Sequence, residues 1–455
     1  MTLPETVDHK TITPQWLNNT LGIKTISSLT VTRIGENQGF TDPIYRIHLN
    51  HTNNDVGPNQ NQPKTLVLKV TDPTSNPSRA AAFVPLHTRE VLFYNCIAPI
   101  LNLDTIPRCY HASFDEATLC GTILLQDLGA PIHEGSFQLA TVTVSQAMRV
   151  MADLGRFQGT CLAKRFQIQG DLPRPLERTA EEIRGAFPVF EETWGKWLGE
   201  KVIERYRKAV ERYEGEWVER KGGFLQGLVH GDCRLGNVLF CRDGEGLKGE
   251  SGQPGVDRNA FEQAIQDSIA TRHVGAPGQA SEGTSTDRKA ITAVAGTSDG
   301  QVVNGMNGHT APPDGVHSDP SKHGHLHHDQ GSDDEKLNLS IIDWQTVSRG
   351  PAVFDVAYFL AMSLQPEVRR TCEFDLVYTW YKACRDAAGP TWIEVARDYS
   401  VVRCVREISM ACIAVVLVSV TTLNHFKAPD VVMRAVGEKL KAVSEMLVDW
   451  GSLER

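Results

Sequence analysis

The sequence lacks the features that mark several common classes of protein. Its ten cysteines are scattered singly with no Cys-x-x-Cys pair, which argues against a zinc ribbon or a thioredoxin-type redox site. It has no stripe of Lys and Arg of the kind that nucleic-acid binding requires, so we expect no nucleic-acid partner. Dispersed cysteines are typical of a reduced compartment, and the polar N-terminal segment is unlike a secretory or mitochondrial leader. We therefore expect a cytoplasmic protein.

Long apolar runs are also lacking. The best candidate for a membrane span, residues 408–423, is uncharged over 16 residues and contains two Ser and two Thr. A bilayer-spanning helix needs about 20 apolar residues. We therefore predict a buried helix of a large domain and no membrane partner, with a membrane span as the alternative.

One long segment has almost no aromatic residues. Residues 245–335 contain no Trp or Tyr and one Phe, and they carry a net charge of -8 out of -9 for the whole chain. Such a segment cannot bury enough apolar surface to offset the entropy of ordering it. We predict a disordered insertion with at most a marginal helix near 259–270. Its His cluster at 323–328 could bind zinc or nickel adventitiously, but with no Cys nearby we expect no structural metal site.

The strongest motif lies at residues 228–240, where apolar residues flank a polar centre. That centre contains His230-x-Asp232-x-x-x-x-Asn237, which is the spacing of a kinase catalytic loop. In such a loop the Asp accepts the proton of the attacking hydroxyl and the Asn holds a magnesium ion. A His-x-Asp with a later Asn also arises by chance, so the interpretation depends on further motifs in the right order.

A second acid follows the insertion, at the end of an apolar strand pattern that terminates in Asp343-Trp-Gln. We predict that 228–244 and 336–345 form the two strands of a hairpin with the insertion at its tip. A long loop there costs little, because closure entropy grows slowly with length. Asp343 would then lie beside Asn237, and a carboxylate and an amide oxygen suit Mg²⁺.

A glycine-containing hairpin precedes these motifs. Two alternating β-branched segments, 28–35 and 43–50, are joined by a turn that contains Gly35, Gly39 and Thr41. Glycine lets backbone N–H groups approach phosphate oxygens closely, so the turn could cover a triphosphate. An ordinary hairpin turn is the alternative.

One lysine lies inside a nearly all-apolar strand, at Lys69. An unpaired buried ammonium is costly, so the side chain must either reach water from an edge strand or meet a partner. The candidate partner is Glu90, about twenty residues later in an amphipathic helical segment. A further strand, 121–128, ends at Gln126, Asp127 and Leu128, where a kinase offers backbone groups to the nucleotide base.

Periodicity after residue 143 is mostly helical. The predicted helical segments are 144–162, 182–187, 194–198, 202–217, 373–388, 392–405, 408–423 and a final amphipathic helix from Asp430. Asp355 lies just before an apolar run. It is either a helix N-cap or a buried acid that braces the catalytic loop, and it is structural in both interpretations.

Taken together, these motifs resemble the aminoglycoside phosphotransferase/choline kinase superfamily. His-Gly-Asp at 230–232 in place of His-Arg-Asp, and Ile342-Asp343-Trp344 in place of Asp-Phe-Gly, are marks of that superfamily. Asp343-Trp-Gln with Gly350-Pro and the segment from Asp355 is similar to its CHK kinase-like, or ecdysteroid kinase-like, branch. The similarity spans roughly 13–244 and 336–447, and the insertion departs from it.

The resemblance implies an α+β, protein-kinase-like bilobal fold. A small N-terminal lobe (1–128) would hold an antiparallel sheet and one helix, and a larger, mostly helical lobe (129–455) would hold the substrate. It also implies Mg²⁺ and ATP, or GTP. Asp232 would orient or deprotonate a hydroxyl, Asn237 and Asp343 would hold magnesium, and His230 would brace the loop. Lys69, fixed by Glu90, would bind the phosphates under the Gly35–Thr41 turn.

We therefore expect an ATP- and Mg²⁺-dependent phosphotransferase that acts on a hydroxyl of a small molecule. A catalytically inactive pseudokinase is the first alternative. A protein kinase is the second, but no Ala-Pro-Glu element follows the Asp343-Trp-Gln segment. The identity of the acceptor and the oligomeric state are left open by the sequence.

Overall fold

The computed structural model describes residues 12–34, 42–52, 62–71, 73, 77–129, 142–168, 178–242 and 337–454. The predicted glycine turn with Gly35, Gly39 and Thr41, and the predicted disordered insertion at 245–335, lie outside the described residues. Strands dominate the described chain as far as residue 126, and helices dominate the part after it. The predicted α+β class is therefore confirmed. The lobe boundary between 128 and 129 stays a prediction.

The first part of the chain forms a five-stranded antiparallel sheet with the spatial order β1-β2-β3-β5-β4. Its strands are β1 (Ile26–Ile34), β2 (Ile44–His51), β3 (Thr65–Thr71), β4 (Cys109–Asp115) and β5 (Cys120–Gln126). Side chains alternate between the two faces of a strand, so Leu66 and Leu68 lie on the opposite face to Lys69. Leu66 and Leu68 are fully buried in a small core. Lys69 therefore faces the other side of the sheet.

Two helical segments cover this sheet. On the small-core side, α1 (Pro14–Leu21) begins at a capping Thr13 and buries Leu17. The other segment runs from α2 (Pro77–Leu92) through a π-helical turn into α3 (Ala98–Leu101). A salt bridge joins Glu90 of α2 to Lys69, so α2 lies on the Lys69 side.

The predicted hairpin is present. Its strands are β7 (Val238–Arg242) and β8 (Leu337–Ile341), and the register pairs Val238 with Ile341 and Arg242 with Leu337. The hairpin is shorter than predicted, because β6 (Gln226–Val229) pairs instead with β9 (Ser348–Pro351). The chain between β6 and β7 is therefore held between two separate small sheets.

The remainder is helical, and the tightest contact lies between two long helices, α4 and α8. The helices are α4 (Val144–Ala163), α5 (Ala180–Leu198), α6 (Glu200–Tyr213), α7 (Val353–Ser363), α8 (Pro366–Ala388), α9 (Pro390–Ala396), α10 (Val401–Leu423) and α11 (Asp430–Asp449). A Cβ at Gly155 or Gly159 of α4 would collide with backbone oxygens of Trp380 or Cys384 in α8. Glycine at both positions is therefore what allows the two backbones to approach so closely.

The prediction of one continuous helix over 392–405 is wrong. The chain leaves α9 at Ala396, and α10 begins after Ser400, whose side chain accepts a hydrogen bond from the Arg403 N–H. A serine cap starts a new helix because it satisfies N–H groups that lack a helical partner. The apolar run 408–423 lies buried within α10, as predicted. In the described part of the chain, no helix combines the length and apolarity that crossing a membrane would take.

Candidate active site

A glycine and a buried acid shape the loop between β6 and β7. Gly231 adopts a φ of +86°, and a Cβ there would lie 2.7 Å from the carbonyl oxygen of Thr346. The Asp355 carboxylate accepts hydrogen bonds from the N–H groups of His230 (2.7 Å) and Gly231 (2.8 Å). Asp355 is fully buried near the start of α7 and also accepts from Gln158 Nε2 (3.1 Å). The structure thus places Asp355 behind the loop, where the bracing interpretation puts it.

His230 joins the loop to the segment that leads to Asp343. Its buried ring accepts a hydrogen bond from the Asp232 N–H at Nδ1 (3.2 Å) and donates from Nε2 to the carbonyl of Ile342 (2.8 Å). A neutral ring protonated at Nε2 makes both bonds. His230 therefore holds two chain segments in a fixed relation and does not point into solvent.

Asp232 is held by side chains on three sides. Asn237 Nδ2 donates to its Oδ2 (2.9 Å) and to its backbone carbonyl (2.9 Å). Arg234 Nε donates to Oδ1 (3.2 Å) and Oδ2 (3.3 Å). Tyr358 of α7 also hydrogen-bonds to the carboxylate, and burial together with the Asp232 charge raises the pKa of Tyr358 well above its usual value. The carboxylate is thus fixed in orientation while a fifth of the side chain stays exposed.

The sequence-predicted metal ligands are neighbours. The Ile342 N–H donates to the Asn237 carbonyl (3.0 Å), which places Asp343 one residue from the end of the catalytic loop. Asp343 has φ 65° and ψ 58°, in the left-handed region that non-glycine residues rarely adopt. Such strain persists where surrounding contacts outweigh it, and it is frequent at functional sites.

Lys69 connects the sheet to both acids. Its Nζ lies 2.7 Å from Glu90 Oε2 and 3.0 Å from Asp343 Oδ1. Burial alone disfavours the ammonium, but the Asp343 and Glu90 carboxylates outweigh it and raise the pKa of Lys69 above its usual value. Asp343 is subject to the same balance, and the pKa of its carboxyl is lowered because Lys69 outweighs burial. The balance therefore favours the charged forms of Lys69 and Asp343. Glu90 differs, because burial outweighs the Lys69 charge and raises the pKa of its carboxyl.

Packing between α2 and the segment after Asp343 holds the ion cluster of Lys69, Glu90 and Asp343 in place. Trp344 is fully buried and stacks on Phe93, with ring centroids 4.0 Å apart and planes 9° apart. Trp344 also packs against Phe157 of α4 and against the His230 ring. Arg89, one residue before Glu90, donates to the Val347 carbonyl (3.2 Å). The helix that carries Glu90 and the segment that carries Asp343 therefore form one packed unit.

A second buried acid lies close to Lys69. Asp42 Oδ2 is 3.3 Å from His87 Nδ1, within ion-pair reach, yet among the described residues it has no partner with hydrogen-bond geometry. Burial raises the pKa of Asp42 to about 7, and the Lys69 charge lowers it only in part. His87 lies one helical turn before Glu90 on α2, and its Nδ1 also lies 3.3 Å from the Thr71 hydroxyl of β3. Polar contacts of His87 and Glu90 therefore join this helix to the sheet.

The three residues predicted to meet the nucleotide base lie at the end of β5 and just beyond it. Gln126 pairs with Leu66 in the sheet and its side chain is exposed. The Asp127 carboxylate binds Arg46 through Nε (2.7 Å) and Nη2 (3.1 Å), so its side chain has a structural partner. Leu128 is half-buried in the link towards α4. The backbone assignment for these residues stays a prediction.

The donor set fits a hard divalent cation together with phosphates. Of the two Asp343 carboxylate oxygens, Oδ1 binds Lys69 and Oδ2 accepts a hydrogen bond from Gln345 Nε2 (3.1 Å). The two N–H bonds from Asn237 to Asp232 orient the Asn237 amide with its nitrogen towards Asp232. Within the described ranges, no group of three or more His, Cys, Asp or Glu side chains could hold a metal ion. A magnesium ion in this place would therefore depend on nucleotide oxygens and water for its other ligands, as is usual for Mg²⁺ in kinase sites.

Comparison with known proteins identifies the family. The model of the ecdysteroid kinase-like family matches residues 36–250 and 326–387, which is more than half of the chain. The chain belongs to this family. Among curated proteins, no sequence matches it significantly. Membership of the ecdysteroid kinase-like family, with the sheet, hairpin and helices described above, confirms the predicted protein-kinase-like fold. It also supports a small-molecule kinase-like phosphotransferase.

Two solved structures illustrate the similarity. A choline kinase from Cryptosporidium parvum Iowa II is 11% identical, with a TM-score of 0.45, over 94% of this chain and 92% of that chain. The GDP complex of wild-type aminoglycoside 2'-phosphotransferase-IIIa is 11% identical, with a TM-score of 0.43, over 96% of this chain and 97% of that chain.

Several residues around the site were not singled out from the sequence. Arg234 had an available signal, because it is a charged residue two positions after Asp232 in the polar centre of the 228–240 motif. Asp42, His87 and Tyr358 had none, since their proximity to the site depends on how the sheet and helices pack.

Proposed function

We propose that this protein transfers the terminal phosphoryl group of ATP to a hydroxyl of a small molecule, with Mg²⁺ as cofactor. GTP is the alternative donor. The main support is that Lys69 bridges Glu90 and Asp343 while Asp343 adjoins the loop that carries Asp232 and Asn237. Phosphoryl transfer depends on such positioning and on charge neutralisation more than on covalent chemistry of the protein.

In this proposal each residue of the site has a defined task, and Asn237 has two. Asp232 receives the acceptor hydroxyl in a fixed orientation and takes its proton, and Asn237 maintains that orientation through its bonds to Asp232. Lys69 binds the donor phosphates, with Glu90 keeping its ammonium in place. Asn237 and Asp343 would hold Mg²⁺, which supplies positive charge next to the phosphate oxygens. His230 and Asp355 hold the loop in a fixed shape.

We also propose a cytoplasmic location, which the cysteines support. All ten are free thiols, and seven are buried. Disulfides are rare in the reducing cytosol and common in secreted proteins, so free thiols support a cytoplasmic location.

A labelled-ATP transfer screen over a panel of hydroxylated metabolites tests this function, with wild type and Asp232→Asn compared on each acceptor that is phosphorylated. The amide keeps the shape of Asp232 but cannot take a proton, so turnover should fall by at least about 100-fold. Nucleotide affinity, measured by calorimetry, should change little. Equal turnover in the two proteins contradicts the assigned role, and binding of ATP without transfer to any acceptor indicates a pseudokinase.

A further inference from the structure

A chain of three buried polar side chains connects helix α8 to the back of the catalytic loop. Trp380 Nε1 of α8 donates to Gln158 Oε1 (2.7 Å), and Gln158 Nε2 donates to Asp355 Oδ2 (3.1 Å). Asp355 in turn accepts from the N–H groups of His230 and Gly231. The three side chains are fully buried. Hydrogen bonds therefore run without interruption from α8 to the backbone of the catalytic loop.

Gln158 is the central member of this chain, and its amide suits both neighbours. An indole N–H only donates, and an ionised carboxylate only accepts. A glutamine side chain meets one group of each kind, because its oxygen accepts and its nitrogen donates. Gln158 Nε2 also donates to the Ala352 carbonyl (3.1 Å), just before α7. Trp380 therefore fixes which way the amide points, and the amide nitrogen is held on Asp355.

The close contact between α4 and α8 brings Trp380 within reach of Gln158. Gly155 lies about one helical turn before Gln158 on α4, and a Cβ there would collide with the Trp380 carbonyl oxygen. A residue without a Cβ is what permits this approach. Gly155 therefore sets the distance across which the Trp380 indole reaches the amide.

Asp355 depends on its donors because it is a carboxylate enclosed by protein. Burial raises the pKa of Asp355, and the hydrogen bonds that the carboxylate accepts oppose this by favouring its charged form. Two of these bonds come from the loop itself, and the third comes from Gln158. The Gln158 amide therefore fixes the carboxylate that in turn holds the loop.

We propose that Gln158 and Trp380 are positioning residues of the phosphotransferase site. They act through Asp355, which holds the loop that carries Asp232. This rests on the proposed phosphotransferase function. A displacement of about 1 Å at a reacting group can lower a rate about 100-fold, so the stiffness of this loop matters for transfer. Both positioning side chains are fully buried, so they affect the rate of transfer and not the binding of nucleotide or acceptor.

The first test measures kcat and KM with labelled ATP and an acceptor that wild type phosphorylates. Gln158→Met keeps the length of the side chain but removes the bridge, so kcat should fall roughly tenfold, the usual worth of a hydrogen bond to a charged group. Trp380→Phe frees the orientation of the amide and should lower kcat roughly fivefold, as for a neutral hydrogen bond. The acceptor KM and the ATP affinity should stay close to wild type. Expressing kcat per nucleotide-binding site, counted by calorimetry, excludes unfolded protein.

Trp194→Phe is the matched control for loss of a buried indole. Trp194 is as fully buried as Trp380, and its Nε1 donates to the Leu423 carbonyl (2.9 Å), which joins α5 to the end of α10. Its replacement should lower the melting temperature about as much as Trp380→Phe does, while kcat stays unchanged. Equal losses of kcat in the two variants would overturn the proposal, because a general loss of packing would then explain both.

Double-mutant cycles show whether these residues act through one another. Gln158→Met should lower kcat much less in an Asp355→Asn background than in wild type. Trp380→Phe should likewise have little effect on kcat in a Gln158→Met background, and this second cycle serves alone if Asp355→Asn does not fold. Effects on kcat that simply multiply would mean that the side chains act independently, which overturns the proposal.

Hydrogen exchange gives a readout that does not depend on catalysis. Exchange of backbone amides, followed by mass spectrometry on a peptide that covers residues 228–235, reports opening of the loop. Gln158→Met and Trp380→Phe should each exchange roughly fivefold faster there, since one buried hydrogen bond behind the loop is lost. Trp194→Phe should match wild type.

The two measurements separate failure of this proposal from failure of the proposed function. Unchanged exchange in both Gln158→Met and Trp380→Phe overturns the positioning role, even where wild type transfers phosphate. Absence of transfer by wild type to every acceptor, with ATP bound, counts against the phosphotransferase function, and the exchange result then decides whether the two side chains position the loop.

Discussion

At the scale of single residues, the site is held together by side chains that bind one another across long sequence separations. Asp355 holds the N–H groups of His230 and Gly231, and Lys69 holds Asp343. Each contact satisfies a buried polar group that would otherwise be costly. Asp42 differs from these residues, since the described part of the chain leaves its Oδ2 without a hydrogen bond.

Asp42→Asn should therefore gain stability over wild type as the pH rises. The free energy of unfolding of the variant minus that of wild type should be larger at pH 8 than at pH 5. The pKa of Asp42 is about 7 in the folded state and 3.8 for an aspartate exposed to water, so between about pH 4 and pH 7 the folded state binds a proton that the unfolded state does not. Its contribution to the free energy of unfolding is present at low pH and falls as pH rises through that window, by at most roughly 4 kcal/mol. Asparagine removes this titration.

Urea denaturation between pH 4 and pH 8 measures the effect. Asp115→Asn serves as a control of opposite sign, because hydrogen bonds from the Thr118 hydroxyl and the Ala117 N–H lower the pKa of Asp115. A stability difference between Asp42→Asn and wild type that is constant with pH argues against a buried, titrating Asp42.

At the scale of secondary-structure elements, the sequence predicts the strands and helices whose hydrophobic pattern is clear and misses those whose pattern is not. Clear hydrophobic patterns, such as the nearly all-apolar strand β3 with Lys69 and the helical periodicity of α4 from Val144, are found where they are predicted. Strand β4 was not singled out, because its residues 109–115 lack a clear alternation of polar and apolar side chains. The break between α9 and α10 depends on a serine cap that a continuous helical pattern hides.

The site residues divide in the same way. The motif residues of the loop and of the two strands could be predicted because their spacing reflects local geometry. The contacts of Asp42 with His87 and of Tyr358 with Asp232 could not, because they arise only when separate elements pack. Asp343 shows both aspects: its position beside Asn237 was predicted from the hairpin, while its left-handed backbone was not.

The hairpin of β7 and β8 gives a prediction at this scale. Arg242 and Leu337 are paired at its open end, so a short turn can join them directly. Replacing residues 243–336 with a two-residue Asn-Gly turn should leave the melting temperature within a few degrees of wild type, because that sequence favours tight hairpins and closure entropy depends weakly on loop length. Transfer activity should also be retained.

Differential scanning fluorimetry and the transfer assay check this deletion. A version with the same Asn-Gly turn inserted one residue later in β8, which shifts the register, is the matched control and should lose activity. Loss of folding in the in-register deletion would show that the removed segment contributes to the fold.

At the scale of the whole molecule, the sheet and the helical part meet at one ion cluster. Lys69 comes from the sheet, Glu90 from the helix that covers it, and Asp343 from the hairpin. The stacking of Trp344 on Phe93 holds these elements in one packed unit. We propose that a nucleotide and Mg²⁺ bind at this junction, next to Asp232.

The most direct measurement is calorimetric titration of ATP into wild type and Asp343→Asn, with and without Mg²⁺, and with the surface variant Asp386→Asn as control. Asparagine suits position 343 because it tolerates the left-handed backbone there. Wild type and the control should bind ATP at least about tenfold more tightly with Mg²⁺, and Asp343→Asn should lose that gain while keeping its fold. An equal effect of Mg²⁺ on the three proteins would contradict the account.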